Sequence, residues 1–469
     1  KGRDFFALLQ TIPGVVDTAA ESRETTSNQP QRGIFINGTR ENQKNVSVDG
    51  VTAMDTHSNG SATFQPNMDS IAEVRVLTSN YQAEYGRNGG GSITAITKSG
   101  STEFHGSAYD YYRHESLNAK NFFINRTGTR KQPYRYRITG YSIGGPVYLP
   151  GNLNRNKDKL FFFWSQEYTG VKTDYGAIFA NMPTAAERNG DFSRSFDVSG
   201  ALIRVIDPST GQQFPNNQIP LTRISKLGQS MLNFFPLPNY VDPDPRNLFT
   251  RNHRDVYSGA APRRNDILRL DWNASPSLRL YYRWGLDVDD TFIPWGDRIG
   301  SANFLITPVF VDRSGKGHLV NLTKSFGPTL VNEFRFGASF VVRDYDFEEP
   351  QKMLRSGMGN PPEWFDDKNP AINYIPTLQF GGQPSNPIAA PFNSYLPNRY
   401  RNPVYAFTDN LSKVWGQHSF KAGFYLERTL AETPGSGSYR GTFNFSRDTN
   451  NPFDSGHSYS NALLGRFVS

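Results

Sequence analysis

The feature that most restricts this sequence is a set of long ribbons in which apolar and polar side chains alternate. In "LRLYYRWGLD", Leu278, Leu280, Tyr282, Trp284 and Leu286 take one face; Arg279, Tyr281, Arg283, Gly285 and Asp287 take the other. "EFRFGASFVVR" sets Phe334, Phe336, Ala338, Phe340 and Val342 against Glu333, Arg335, Gly337, Ser339 and Arg343. "FKAGFYLE" sets Phe420, Ala422, Phe424 and Leu426 against Lys421, Gly423, Tyr425 and Glu427. A period of two predicts β-strands with one greasy face. Weaker strands are expected at Glu103–Arg113, Tyr134–Gly144, Leu160–Val171, Arg264–Trp272, Gly317–Phe326, Val404–Trp415 and Tyr439–Phe445. The pattern of Val404–Trp415 swaps faces midway, which predicts a bulge there.

Soluble sandwiches and membrane barrels both have one apolar face, so alternation alone does not separate them. Strand length and loop asymmetry do. Several ribbons approach or exceed the nine to eleven residues that cross a bilayer when tilted, roughly twice the soluble average. Tight turns at Ala274-Ser275-Pro276, Gly327-Pro328 and Gly416-Gln417 are interleaved with very long segments, Lys172–Arg263 and Asp346–Arg401. Outer-membrane barrels have this asymmetry, whereas compact soluble domains rarely carry such loops. Trp272, Phe326 and Trp415 lie beside the tight turns, where an interfacial aromatic girdle belongs. Within the longest loop, Ile224, Leu227, Met231, Leu232 and Phe235 fall at helical spacing before Pro236.

Composition agrees. The 469 residues are 36% hydrophobic yet 14% aromatic, with 42 glycines and 31 prolines, a mix suited to many strands and turns and unlike a disordered chain. No apolar run is long enough for a transmembrane helix, which has no bearing on a barrel. There is no cysteine, hence no disulfide or thiol chemistry. The net charge of +7 is dispersed among acids with no basic run, so nucleic acid is not an expected partner. The opening "GRDFFALLQTIPGV" reads as the interior of a domain, and the chain as a fragment.

Residues 1–98 form a separate mixed segment. Phe5, Phe6, Leu8, Leu9 and Ile12 make a helix-like run ended by Pro13-Gly14; "GIFINGTR" and "NVSVDGV" read as strands; "SIAEVRVL" fits helix or strand. The glycines of "AEYGRNGGGSITAITKSG" do not make a phosphate cradle, because Lys98-Ser99 precedes Gly100 and a strand follows Gly91. "GYSIG" around Ser142 matches a nucleophile elbow in letters, but Gly145-Pro146 follows instead of a helix. The seven histidines show no ligand spacing, and no enzyme activity, metal or cofactor is expected. Asp287–Asp290, Glu348-Glu349 and Asp366-Asp367 read as solvated strand ends.

"NVSVDGV", "SIAEVRVLTSNYQAEYGRNGGGSITAITKSG" and "STEFHGSAYDYYRHESLNAKNFF" together resemble the plug and first barrel strand of TonB-dependent outer-membrane receptors. "YSIGGPV", "KLFFFWSQEY", "MPTAAERNGDFS" and "IPLTRISKLGQSMLNFFPLPN" are similar to the Oar-like branch. The resemblance implies a mainly β fold: a small α+β plug, residues 1–98, then an antiparallel transmembrane barrel, residues 99–469. About 22 strands close such a barrel, of which about ten are visible here. It also implies uptake of an extracellular oligosaccharide, peptide or chelated metal, driven by the inner-membrane TonB complex. The TonB box and half the barrel are missing from the stretch, so it is not expected to transport alone; outer-membrane lipid is the expected surround. Glycines 86, 89, 90, 91 and 100 would serve tight turns and close backbone approach. The alternatives are an adhesion or surface-assembly protein on the same scaffold, and a soluble carbohydrate-binding β protein.

The resemblance places ligand contacts on the plug loop Thr52–Asn67, with Asp55, His57, Asn59 and Gln65 as candidates. The competing expectation is that these residues solvate the loop or pack on the barrel wall. Arg75, Glu84 and Arg87 are expected to bond plug to wall, where paired charges escape heavy desolvation.

Overall fold

The computed structural model describes residues 3, 5–18, 33–55, 64–82, 84–86, 89–120, 122–126, 134–148, 154–294, 308–358, 373–388, 398–432 and 441–468. His57, Asn59, Arg87, Asp366 and Asp367 lie outside that set.

The N-terminal domain opens with a 3₁₀ helix, Phe5–Thr11, followed by the antiparallel pair β1 (Val15–Asp17) and β2 (Ile34–Ile36). Four further strands, β3 (Lys44–Val48), β4 (Val51–Thr52), β5 (Ile71–Leu77) and β6 (Gly91–Thr97), form a sheet in the order β4-β3-β6-β5. Its central pair, β3 and β6, is parallel. The "SIAEVRVL" segment is therefore strand, as its β-branched Ile71, Val74 and Val76 prefer. Phe5, Phe6, Leu9, Ile34, Ile36, Val46, Met54, Ile93 and Ala95 make the core. At Gly90 a Cβ would crowd the Gln43 carbonyl, and at Gly91 the Leu77 carbonyl, so close approach explains both. Gly86 and Gly89 have open space around them and need another reason.

Apart from two short strands, the rest of the described strands build one large antiparallel sheet. Its staves are β7 (His105–His114), β8 (Tyr134–Pro146), β9 (Leu160–Ala180), β10 (His253–Ser275) and β11 (Leu278–Ile293). Next come β12 (Val309–Asp312) and β13 (Gly315–Ser325), two parts of one stave, and then β14 (Leu330–Phe347). After β15 (Thr377–Gln379), a short strand in a loop, β16 (Asn398–Arg401) and β17 (Val404–Trp415) form another stave, followed by β18 (His418–Thr429). Among the described residues, β7 and β18 are the two edges and do not pair with each other.

Two expectations need correction. Tyr439–Phe445 contributes β19 (Thr442–Asn444), which pairs in parallel with β15 and does not join the meander. Val404–Trp415 has no bulge: its register with β14 and β18 is unbroken. Ala406 is apolar on the inner face because Val51 and Leu319 cover that level, and Val404 on the same face is also buried. Lower on the stave, Leu411 points outward.

The long external connections fold together. The short helices α1 (Phe122–Arg126), α2 (Ala185–Arg188), α3 (Lys226–Asn233) and α4 (Ser458–Leu463) all lie outside the staves. Helix α3 is the one predicted from spacing; Ser225 caps it, and Met231, Leu232 and Phe235 are buried. It packs on α4 so closely that a Cβ at Gly228 would overlap the Ala462 carbonyl. Phe192, Phe214, Phe235, Leu378, Phe445 and Tyr459 join stave-top residues Ala180, Ile293, Val309, Val311 and Phe347 in a single apolar core. These loops are a folded cap.

Candidate functional site at the inner face of the sheet

The two faces of the meander have opposite surroundings. Leu278, Leu280, Tyr282, Trp284 and Leu286 point away from the N-terminal domain, whereas Arg283 and Gly285 point at it. A Cβ at Gly285 would overlap the Phe64 ring, and one at Gly337 would overlap Val51. Lone glycines inside otherwise bulky strands thus mark where the globule's side chains press on the wall.

Asp49 is the hub of the contact. It sits with Gly50 in the β3–β4 turn, both with positive φ, a conformation Asp and Gly tolerate. Its carboxylate accepts the Thr97 amide at 2.8 Å and the Thr97 hydroxyl at 2.9 Å. The Arg283 Nε lies 3.1 Å away and the Arg269 guanidinium 4.0 Å away. Arg269 also donates to the Thr97 carbonyl at 3.0 Å. Asp49 and Arg283 are both buried, so each requires the other.

Both ends of the loop Thr52–Asn67 are fastened to the wall. Asp55, fully buried, faces Arg343 at 3.1 Å and accepts from Asn402 at 3.1 Å. The Gln65 carbonyl accepts from Asn265 at 2.7 Å, and Asn67 donates to the Asn265 side-chain oxygen at 2.9 Å. Ser165 donates to Asn67 at 3.1 Å. Glu84 pairs with Lys421 of β18. Among the described residues Arg75 pairs with Glu73 of its own strand, at 3.2 Å, which raises its pKa. Both side chains are exposed. Ser142, on the inner face of β8, meets the Ser107 hydroxyl at 2.9 Å. Asp289 is not a solvated strand end; it is buried against Arg263 at 3.4 Å.

Sequence reasoning missed Asp49, Val51, Phe64 and the two wall glycines. The signal was present in the Asp-Gly turn and in single glycines interrupting Gly285 and Gly337 strands.

Long staves, apolar outside and polar inside, set around a small globular domain define a plugged outer-membrane β-barrel. The chain matches the family described as outer membrane beta barrel domain over residues 96–469, and the TonB-dependent receptor plug domain over residues 1–93. It belongs to the TonB-dependent outer-membrane receptors and resides in the outer membrane. It is similar to the TonB-dependent transporter Oar of Myxococcus xanthus, 32% identical over 257 residues, 49% of this chain and 22% of Oar. Its fold is similar to the outer membrane transporter YddB from Escherichia coli, with a TM-score of 0.52 at 10% identity, over 92% of this chain and 46% of YddB. The chain thus spans less than half the length of either. The soluble β protein alternative falls with the family match.

Proposed function

We propose that the intact protein takes up an extracellular nutrient, an oligosaccharide, peptide or chelated metal, and passes it to the periplasm with energy from the TonB complex. Residues 1–98 act as the plug and residues 99–469 as the wall. The loop Thr52–Asn67 senses the ligand, with His57, Asn59 and Gln65 as its proposed contacts and Asp55, buried on the wall, reached only if the loop moves. The observation that supports this reading is the fastening of that loop at both ends, through Asp55 and through Gln65 and Asn67. A ligand that disturbs Asp55 would pull on Arg343 and Asn402, and the shift would be felt at the Asp49 hub.

The test is uptake in cells carrying the whole gene, with a labelled oligosaccharide pool, a labelled peptide pool and a labelled ferric chelate. The expected result is uptake of one class that a protonophore abolishes. No uptake of any class, together with a surface-attachment defect on deletion, would favour the adhesion reading instead.

A further inference from the structure

The cap stands on the lumen side of the staves. On β11, Arg283 and Gly285 face the plug, and Ile293 has the same parity. On β14, Gly337 and Arg343 face the plug, and Tyr345 and Phe347 follow at the same parity. Val309 of β12 lies opposite both Ile293 and Phe347, and Val311 lies opposite Tyr345, in a register without breaks from β11 to β14. Residues directly opposite one another in antiparallel strands share a face. Ile293, Val309, Val311 and Phe347, the stave-top members of the cap core, therefore sit on the plug side of the wall. Exposure agrees: Val309 and Val311 are buried, whereas Phe310 between them is 49% exposed on the other face.

So placed, the cap overhangs the mouth of the barrel, and it does so as one body. Its three connections are tied by backbone bonds: Ile206 donates to the Ser455 carbonyl at 2.8 Å, Asn181 to the Asn386 carbonyl at 2.8 Å, and Ser458 to the Gln383 carbonyl at 2.7 Å. Lifting the cap off the staves would bring Ile293, Val309, Val311 and Phe347 into water, together with the cap side chains packed on them.

The overhang is uneven. On β14 the plug contact at Arg343 and the cap contact at Tyr345 are two residues apart, about 7 Å of strand. On β11, eight residues, about 26 Å, separate Gly285, pressed by Phe64, from Ile293. On β10 the plug holds Asn265 through Gln65, and the cap is met at Arg254, whose amide donates to the Asn239 side chain at 2.8 Å. Those two positions are eleven residues apart, about 36 Å. Plug and cap thus converge on β14 and diverge towards β10. The loop Thr52–Asn67 runs between the same two sides: Asp55, fully buried, is fastened at the narrow side, and Gln65, partly exposed, at the wide one.

We propose that the cap is a fixed roof over the Asp55 end of the loop, and that ligand reaches the plug from the β10 side, meeting the Gln65 end first. The cap stays seated throughout uptake. Selection of the ligand then falls to the Gln65 end, and Asp55 responds to displacement of the loop. This inference rests on the reading that the loop senses the ligand.

The sequence has no cysteine, so single cysteines report access position by position. Four variants are introduced separately into the full-length protein in its own outer membrane. Val311→Cys lies at the seam of cap and stave, Asn402→Cys beside Asp55, Gln65→Cys at the far end of the loop, and Val198→Cys on the cap's surface, where the side chain is 62% exposed. A membrane-impermeant maleimide is added to whole cells with the oligosaccharide, peptide and ferric-chelate pools present, and heat-modifiable gel migration reports that each barrel folds. Val311→Cys is expected to label about a hundredfold more slowly than Val198→Cys, at one rate in energised and in protonophore-treated cells. Gln65→Cys is expected to label about tenfold faster than Asn402→Cys. Val309→Cys repeats the seam reading if Val311→Cys does not fold. Seam labelling that rises in energised cells would show a cap that opens and would overturn the fixed roof. Equal rates at Gln65→Cys and Asn402→Cys, or a faster Asn402→Cys, would overturn the side of entry. The comparison of the two loop ends needs no identified nutrient, so it stands apart from the outcome of the uptake test.

Discussion

Replacing Asp49 by Asn tests whether one buried charge seats the plug. Asn tolerates the positive φ at this position and keeps an oxygen for the Thr97 amide, so the substitution isolates the charge. What it removes is the partner of Arg283, which is 3% exposed and 3.1 Å away. Leaving one member of a buried pair uncompensated costs about 3–5 kcal/mol. The retained bond to Thr97 argues for the lower end, about 3 kcal/mol, a shift of about a hundredfold in the population of displaced plug. The assay is opening frequency of the full-length protein in planar bilayers, with outer-membrane permeability to a large glycopeptide antibiotic as the cellular readout. Arg283→Met alone should open the pore similarly, because it strands Asp49. The double variant Asp49→Asn with Arg283→Met should regain most of the loss, since replacing both members of a buried pair is close to neutral. Single variants that leave both readouts unchanged, or a double variant whose effects simply add, would refute the reasoning.

The wall glycines give a steric counterpart. Gly337→Ala would force its methyl group into Val51, at a cost of about 1–3 kcal/mol read as easier proteolysis of the plug, whereas Gly170→Ala meets nothing and should be silent. The cap should loosen in acid. His457 is fully buried, and burial pushes its imidazole down to about 3. Because the folded value lies below the ordinary one near 6.5, the unfolded cap binds the extra proton. Its contribution is complete above pH 6.5 and is lost as pH falls towards 3, by up to about 5 kcal/mol. His457→Asn preserves a cap for the Tyr459 amide and should flatten the pH dependence of cap proteolysis over that window. Glu187, 3.7 Å away and raised by burial, acts with the opposite sign in both proteins; an unchanged pH profile in His457→Asn would refute the assignment.

The faces of the staves were legible because bilayer and plug impose opposite demands on alternate residues. Arg283 and Gly285 against Trp284 and Leu286 state that demand in four consecutive positions. Stave length was not legible. Leu160–Val171 and Arg264–Trp272 end where the bilayer pattern ends, yet β9 runs to Ala180 and β10 begins at His253. Above the membrane the upper turns pack against the cap, and alternation no longer reports a greasy outside. The cap's core was hidden for another reason. Phe192, Ile293, Leu378 and Tyr459 come from four distant segments, and no local period links them. Spacing revealed α3, a helix with one buried stripe, but could not reveal α4 as the surface it packs on. Arg75 shows the limit for charges: sequence marks a basic residue on the plug but not that Glu73, two residues away, is its partner.

Plug and cap are therefore held by different physics. The cap shares one apolar core with the tops of β9, β11, β12 and β14, and such a core resists piecemeal opening because each exposed side chain weakens its neighbours' packing. The plug meets the wall through separable contacts: Asp49 with Arg283, Asp55 with Arg343, Asn67 with Asn265, and Phe64 on Gly285. Water entering that interface can replace each hydrogen bond as it breaks, which lowers the barrier to stepwise release in a way no greasy interface allows. Pulling on the plug should then break these contacts before it disturbs the cap, because the force acts on single polar links on one side and on a cooperative core on the other.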